Sequence, residues 1–460
     1  MKKWAILVLL ALSCFAFVRN NTFLQKEVPE YIPPSLQRQG NAEKGYSYLI
    51  TGDYLKSGIP YTLFFLGTPK DTLNHLQRTG ANAVLPHDFT AVHAPNGELV
   101  VAPNCLQCHA QVFEGRLVVG LGNSFSDFTV NRGGIATMAE GFLKKLTGPD
   151  AKKYDAAKHF ITAVKTISPK LVTPVKGVNL ADGLAYLLVS HRNPETLKWS
   201  DTNLLPLPHE MIPTDVPAWW LLKKKHGMFY NGFGRGDFGR FLMASNLLTV
   251  TDTAEAAEVD SHFNDVLAYI NSIEPPKYPK PVNTTLANEG EKIFVANCSK
   301  CHGTYGPDGK YPNLLIPAEI IKTDSALYTA NYSNPQFIDW FNKSWFSSGD
   351  HPAQLVPYKG YIAPPLDGIW VTAPYFHNGS VPDLEGVLNS KKRPAYWQRN
   401  FKKPVYNYTI PGWQYEIKEA PVGAEVYNTT LKGFGNYGHY FGDKLSDAER
   451  KAVIEYLKTL

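Results

Sequence analysis

The sequence predicts a mainly α chain with much irregular structure, divided into two similar units. Three observations carry this expectation. Cys105-Leu106-Gln107-Cys108-His109 and Cys298-Ser299-Lys300-Cys301-His302 repeat one pentapeptide pattern, once on each side of a proline-rich segment. The run Val266-Leu267-Ala268-Tyr269-Ile270-Asn271-Ser272-Ile273 matches the last eight residues, Val453 to Leu460, in its apolar and tyrosine positions, and the two runs follow the motif histidines at nearly equal distances. Finally, 34 Pro and 36 Gly, together with 25 Tyr and 24 Phe, favour turns and aromatic packing over long regular elements.

Cys-x-x-Cys-His is the attachment pattern of c-type haem, in which two thiols add to the haem vinyl groups and the adjacent imidazole ligates the iron. A zinc site would bring two such pairs to one ion without a histidine fixed after each, and a thioredoxin-like redox pair would stand alone near a βαβ unit. The sequence therefore predicts two cytochrome c-like domains, each with one covalent haem, bound through Cys105, Cys108 and His109 in the first and Cys298, Cys301 and His302 in the second. Four of the five cysteines lie in the motifs, and the fifth, Cys14, lies in the leader.

Residues 1–19 read as an export signal or anchor. Lys2-Lys3 precede an apolar run from Trp4 to Val18, which is short for a membrane span. Ala11-Leu12-Ser13 before Cys14 allows cleavage there and a lipid anchor. The expected location is periplasmic or secreted, either free or tethered through the N-terminus. Residues 20–273 form the N-terminal haem domain, with a long preamble from Pro29 to Pro103 that reads as irregular and without a helix before Cys105. Glu274 to Pro281 holds four prolines and reads as an extended linker, over residues 274–284. The C-terminal domain, 285–460, begins with a short helix in which Gly290 and Phe294 share a face. It closes with a helix announced by Leu445-Ser446-Asp447-Ala448-Glu449, a Ser-x-x-Glu capping box. The formal net charge of +5 is not gathered into a basic block, so no nucleic-acid partner is expected.

Function turns on the second axial position of each iron. No methionine lies in the C-terminal domain, where His351, His377 and His439 are the histidines outside the motif. His439 is favoured as the second ligand, because Gly435, Gly438 and Gly442 flank it and permit close approach to a flat cofactor; His377 is the alternative. In the N-terminal domain, His87, His93, His159, His191, His209 and His226 compete with Met138, Met211, Met228 and Met243. None of them stands in a comparable loop, so an open site is preferred. Trp219-Trp220 and the glycine-spaced aromatics from Phe229 to Phe238 suit either core packing or the wall of a dry pocket with an indole relay. Arg235 and Asp237 would pair with each other or hold a propionate.

The stretch from Pro364 to Leu384, containing Pro374-Tyr375-Phe376-His377-Asn378-Gly379-Ser380, resembles a shared segment of the bacterial di-haem cytochrome c peroxidase superfamily, which includes the methylamine-utilisation di-haem enzyme. With the His439 loop and the final helix, it is most similar to the rubber oxygenases, secreted di-haem c-type dioxygenases that cleave polyisoprene. The resemblance covers about the last 180 residues and the region around Trp219 to Phe238. It implies an N-terminal haem that takes dioxygen and a C-terminal haem ligated by His302 and His439. It further implies Trp219 and Trp220 as the aromatic pair beside the active haem, and a turn-stabilising role for His377. This chain is shorter than the rubber oxygenases, mainly in its N-terminal half.

The expected function is an exported di-haem oxidoreductase activating O2 or H2O2, with a redox protein or small molecule as electron donor and an apolar organic compound as substrate in the oxygenase version. The alternative is a non-enzymatic electron carrier with both irons six-coordinate.

Overall fold

In a computed structural model, residues 28–149, 151–208 and 210–460 are described. The leader over residues 1–19, Cys14 and His209 lie outside them. The chain enters through helix α1 (Ala42–Thr51), whose N-terminal amides are served by the Asn41 side chain. An antiparallel hairpin, β1 (Phe89–His93) and β2 (Leu99–Pro103), leads directly into Cys105. A second hairpin, β3 (Ala110–Phe113) and β4 (Arg116–Val119), leaves directly from His109. The first motif is thus held between two hairpins. Helices α2 (Gly133–Thr147) and α3 (Lys152–Ile167) pack together on the periphery. After a tight turn over Trp219–Lys224, helix α4 (Thr253–Ser272) starts from Asp252, whose carboxylate accepts from Ala254 and Glu255 N–H.

The prolines that follow keep the chain extended as far as α5 (Thr284–Asn297), which is capped by Asn283 and runs into the second motif. Strand β5 (Leu314–Pro317) pairs antiparallel with β6 (Gly360–Ile362). Strand β7 (Tyr396–Arg399) lies between β8 (Tyr415–Ile417) and β9 (Val426–Asn428). The final helix, α6 (Asp447–Leu457), carries the expected capping box, with Ser446 and Glu449 bonding reciprocally. Mainly helical structure with much loop is what composition suggested, although the small sheets are more numerous than expected.

The preamble contradicts its sequence reading, because α1 is the entry helix that the first unit was expected to lack. It crosses α4 as α5 crosses α6. A Cβ on Gly45 would lie 1.9 Å from the Asp265 carbonyl oxygen, and one on Gly290 would lie 1.9 Å from that of Ala452. Only glycine lets the backbones approach so closely. Tyr46 meets Tyr269 at 5.0 Å between ring centres, and Phe294 meets Tyr456 at 5.3 Å. The capping asparagines are tied to the closing helices in the same way: Asn41 N–H donates to Asp265 Oδ1 and Asn283 N–H to Glu455 Oε1. Two helix pairs, α1 with α4 and α5 with α6, thus close in the same manner.

The cores cross the linker. The larger core joins Leu49, Leu106, Trp219 and Phe263 with Trp340, Phe341 and Phe346 from beyond the prolines. The second joins Phe294, Trp370 and Tyr456 with Phe113, Leu121 and Trp220. The linker itself is fixed: Trp370 Nε1 donates to the Pro276 carbonyl, and the Tyr278 hydroxyl donates to the Tyr408 carbonyl.

Candidate haem sites

The first motif folds as a single helical turn, Leu106–His109. Asn104 Oδ1 accepts the Leu106 N–H, and Asn123 bonds both Cys108 and Gln107 carbonyls. The Gly120 N–H donates to the His109 carbonyl while its own carbonyl accepts the Trp219 N–H. This double link lays the Trp219 indole on the His109 ring at 4.5 Å and 17°. His109 Nδ1 and Trp219 Nε1 are both buried without a hydrogen-bond partner. His109 is half-buried. Cys105 and Cys108 are half-buried as well. Burial holds His109 neutral, its pKa lowered to about 3, and pushes the Cys105 thiol up to about 12, with Cys108 adding to the effect. These thiols are not activated nucleophiles. Asn179 Nδ2 approaches Cys108 Sγ at 3.3 Å.

The second motif forms a similar turn, Ser299–His302. His302 Nδ1 lies 2.9 Å from the Pro364 carbonyl oxygen. A carbonyl only accepts, so Nδ1 carries the proton and Nε2 keeps its lone pair, as a metal-binding imidazole requires. His439 stands with its ring centre 6.1 Å from that of His302, the planes at 64°. Two imidazole–metal bonds of about 2 Å each, plus half of each ring, put ring centres roughly 6 Å apart. The observed spacing accommodates one metal between the two rings. His439 holds left-handed backbone angles (φ 48°, ψ 54°), an arrangement that costs about 1–3 kcal/mol and persists where surroundings impose it.

Arg393, which sequence reasoning missed, imposes that geometry. Its guanidinium donates to the carbonyls of Asn436, Gly438 and His439 on one side and Gly386 and Val387 on the other. Gly438 lies so close to the backbone at Lys322 that a Cβ would sit 2.3 Å from it. Burial, then His302 and Arg393, lowers the His439 pKa to about 3, so this imidazole too is neutral.

His377 is not brought to His302. It stacks on Tyr361 at 4.2 Å, its Nε2 lies 3.1 Å from the Tyr361 hydroxyl, and its carbonyl accepts the Asp215 N–H. His351 is exposed. Met228 and Met243 are sealed in the core, Met211 packs against it, and Met138 is 70% exposed. His93 is exposed, and His159 accepts from Arg192. His191 and His226 are tied to backbone carbonyls of Ser200 and Ile32, and His87 lies beside Asp88, half-buried. Among the described residues, the ring in contact with His109 is that of Trp219.

Trp219 and Trp220 diverge. Trp220 turns into the second core, where its Nε1 donates to the Asp367 carbonyl at 2.8 Å. The same segment grips His302: the Leu366 N–H donates to the Tyr305 hydroxyl, which donates to the His302 carbonyl. A path of contacts therefore runs from the His109 ring, across its stack on Trp219, through Trp220 and the Asp367 carbonyl to His302. The expected pairing of Arg235 with Asp237 is overturned. Asp237 caps the helix beginning at Phe238 and forms an ion pair with Arg38, 2.8 Å, which also bonds Asp260. Asp215, whose N–H donates to the His377 carbonyl, accepts the Tyr230 hydroxyl at 2.8 Å and is pushed up to about 7 by burial.

Residues 360–398, which run from β6 through His377 and Arg393 almost to the end of β7, match the family described as RoxA-like, cytochrome c-like. An uncharacterized protein of Sinorhizobium fredii, y4iM, is 25% identical over 321 residues, covering 61% of this chain and 71% of that protein. A second uncharacterized protein of the same organism, y4iJ, is 36% identical over 255 residues, 41% of each chain. The match and the motif define a cytochrome c-like chain that carries covalently bound haem c. The paired, half-buried thiols beside a neutral imidazole whose buried Nδ1 lacks a partner fit that group.

Proposed function

We propose that this chain is an exported di-haem c-type cytochrome oxidoreductase, in which the N-terminal haem activates O2 or H2O2 and the C-terminal haem transfers electrons. The reading rests on an asymmetry. His302 faces His439 at a spacing that suits one metal, while, among the described residues, the ring against His109 is an indole and no second imidazole. Cys105, Cys108 and His109 would hold a haem, which would supply an iron able to bind O2 or peroxide.

The chain's own groups supply the rest. Neutral His109 presents a lone pair from a ring kept in place by the Trp219 stack. Phe229, Phe233 and Phe241 form a continuous aromatic wall in the same core, which excludes water and suits an apolar substrate. Trp219 and Trp220 carry electrons between the halves, because each indole belongs to a different core. Asp215 with Tyr230 is a carboxyl poised near neutrality, able to hold or release a proton where peroxide chemistry needs one. Electrons come from a redox protein or a small reductant outside the cytoplasm. No described helix is long and apolar enough to cross a membrane.

Optical and EPR spectra of the purified protein test the reading. One high-spin ferric signal, with carbon monoxide binding to one of the two ferrous haems, is expected. Two low-spin signals without carbon monoxide binding would leave an electron carrier in place of an enzyme.

A further inference from the structure

His377 stacks on Tyr361, yet the residues on either side of it reach the loop that carries His439. Phe376 holds a left-handed backbone (φ 71°), which a bulky side chain adopts only where its surroundings impose it. Its ring centre lies 5.9 Å from that of His439, the planes at 59°. Asn378 and Ser380 are both 0% exposed. Asn378 Nδ2 donates to the Gly433 and Gly435 carbonyls, at 3.0 Å each, and the Ser380 hydroxyl donates to the Gly435 carbonyl, also at 3.0 Å. From the other side, Asp324 Oδ2 accepts the Gly435 N–H at 3.0 Å.

The turn that presents these donors is itself fixed. Asn378 Oδ1 accepts the Ser380 N–H, and the Asn378 carbonyl accepts the Tyr427 hydroxyl at 2.7 Å. Trp397 Nε1 donates to the Ser380 carbonyl at 3.1 Å. Tyr427 and Trp397 face each other across β9 and β7, so the turn is anchored on a sheet. Buried carbonyls need donors, and Gly433 and Gly435 are buried. Asn378 and Ser380 meet that need at the near end of the loop. Arg393 meets it at the far end, at Gly438 and His439. Gripped at both ends, the loop has its path, and with it the place of the His439 imidazole, set from outside.

We propose that Asn378 and Ser380 are positioning residues for the second haem site. By holding the Gly433 and Gly435 carbonyls they keep the His439 imidazole opposite His302 against competing small ligands. The proposal rests on the di-haem reading, in which His302 and His439 serve one iron.

Cyanide titration of the ferric, haem-loaded protein tests it. Cyanide reaches the second iron only where His439 has given way, so its apparent affinity follows the fraction of chains in that state. Mass of the denatured chain comes first: fewer than two haems overturns the di-haem reading, and this role falls with it. H439A should strongly tighten the weaker of the two cyanide steps; if it does not, His439 is no ligand and has nothing to be positioned for. S380A, with one hydrogen bond lost, should tighten the weaker step about fivefold, and N378A, with two lost, about thirtyfold. The tighter step, at the open first site, should not move. S380T keeps the hydroxyl and should restore the wild-type value, whereas N378D, whose carboxylate cannot donate, should not restore it. Should N378A fail to fold, the comparison of S380A with S380T decides. If H439A tightens the weaker step and neither S380A nor N378A does, the positioning role alone is overturned. A shift of both steps together also overturns it, leaving the turn a stabiliser of the whole chain.

Discussion

At His377 and at the two crossing glycines, single side chains carry consequences that can be measured. His377 is buried neutral, its pKa lowered by burial from 6.5 to about 3. The unfolded chain binds a proton there below about pH 6.5 and the folded chain does not, so the contribution to stability is full above that pH and is lost as pH falls toward 3. Urea unfolding between pH 7 and pH 4 should show His377→Gln losing less stability than wild type, by about 1.4 kcal/mol for each unit below 6.5. Asp215 runs the other way. Its pKa is raised to about 7, so its contribution is present below the unfolded carboxyl range and fades as pH rises through 7. Gly45→Ala and Gly290→Ala each place a methyl group against a carbonyl and should each cost about 1–3 kcal/mol in chemical denaturation. Alanine at Gly67, where nothing stands within 4 Å of a Cβ, is the neutral control.

Elements were legible in the sequence where their signals are close together. Gly290, Phe294 and the Ser446–Glu449 box lie within a few residues of the second motif or of the final helix, and both helices formed where expected. The first clasp escaped because residues 52–104 separate α1 from its motif, and because the Gly45 contact with α4 exists only in three dimensions. His439 was marked by its glycines. Arg393 was not, since it acts on backbone carbonyls that any sequence would present. Arg393→Met should free the segment Asn436–His439, destabilising it by about 1.5–3 kcal/mol for the lost charged hydrogen bonds. Faster amide exchange confined to residues 435–442 would register this. Arg393→Lys should rescue little, because five carbonyls on two segments need a planar fork.

Across the whole molecule, the adjacent tryptophans join what the prolines separate. Trp219 belongs to the first core and Trp220 to the second, and the Trp220–Asp367 hydrogen bond ties the turn to the segment that holds His302. Trp220→Phe removes that bond, at a cost of about 1 kcal/mol. On the di-haem proposal, rapid reduction through one haem should then equilibrate more slowly with the other, at unchanged midpoint potentials; an unaltered exchange rate would remove Trp220 from the proposed path.

The clasps also govern when the molecule can close. Gly45 must wait for the backbone at Asp265, and Gly290 for Ala452, so each ring of chain shuts only after a long span has been made. Contacts so distant along a polypeptide are slow to form. Cys105 and Cys108 lie inside the first ring and Cys298 and Cys301 inside the second. In a newly made chain all four sulfur atoms therefore stay within reach of enzymes and oxidants until the last turn of helix docks, which sets a time window for any covalent modification of them.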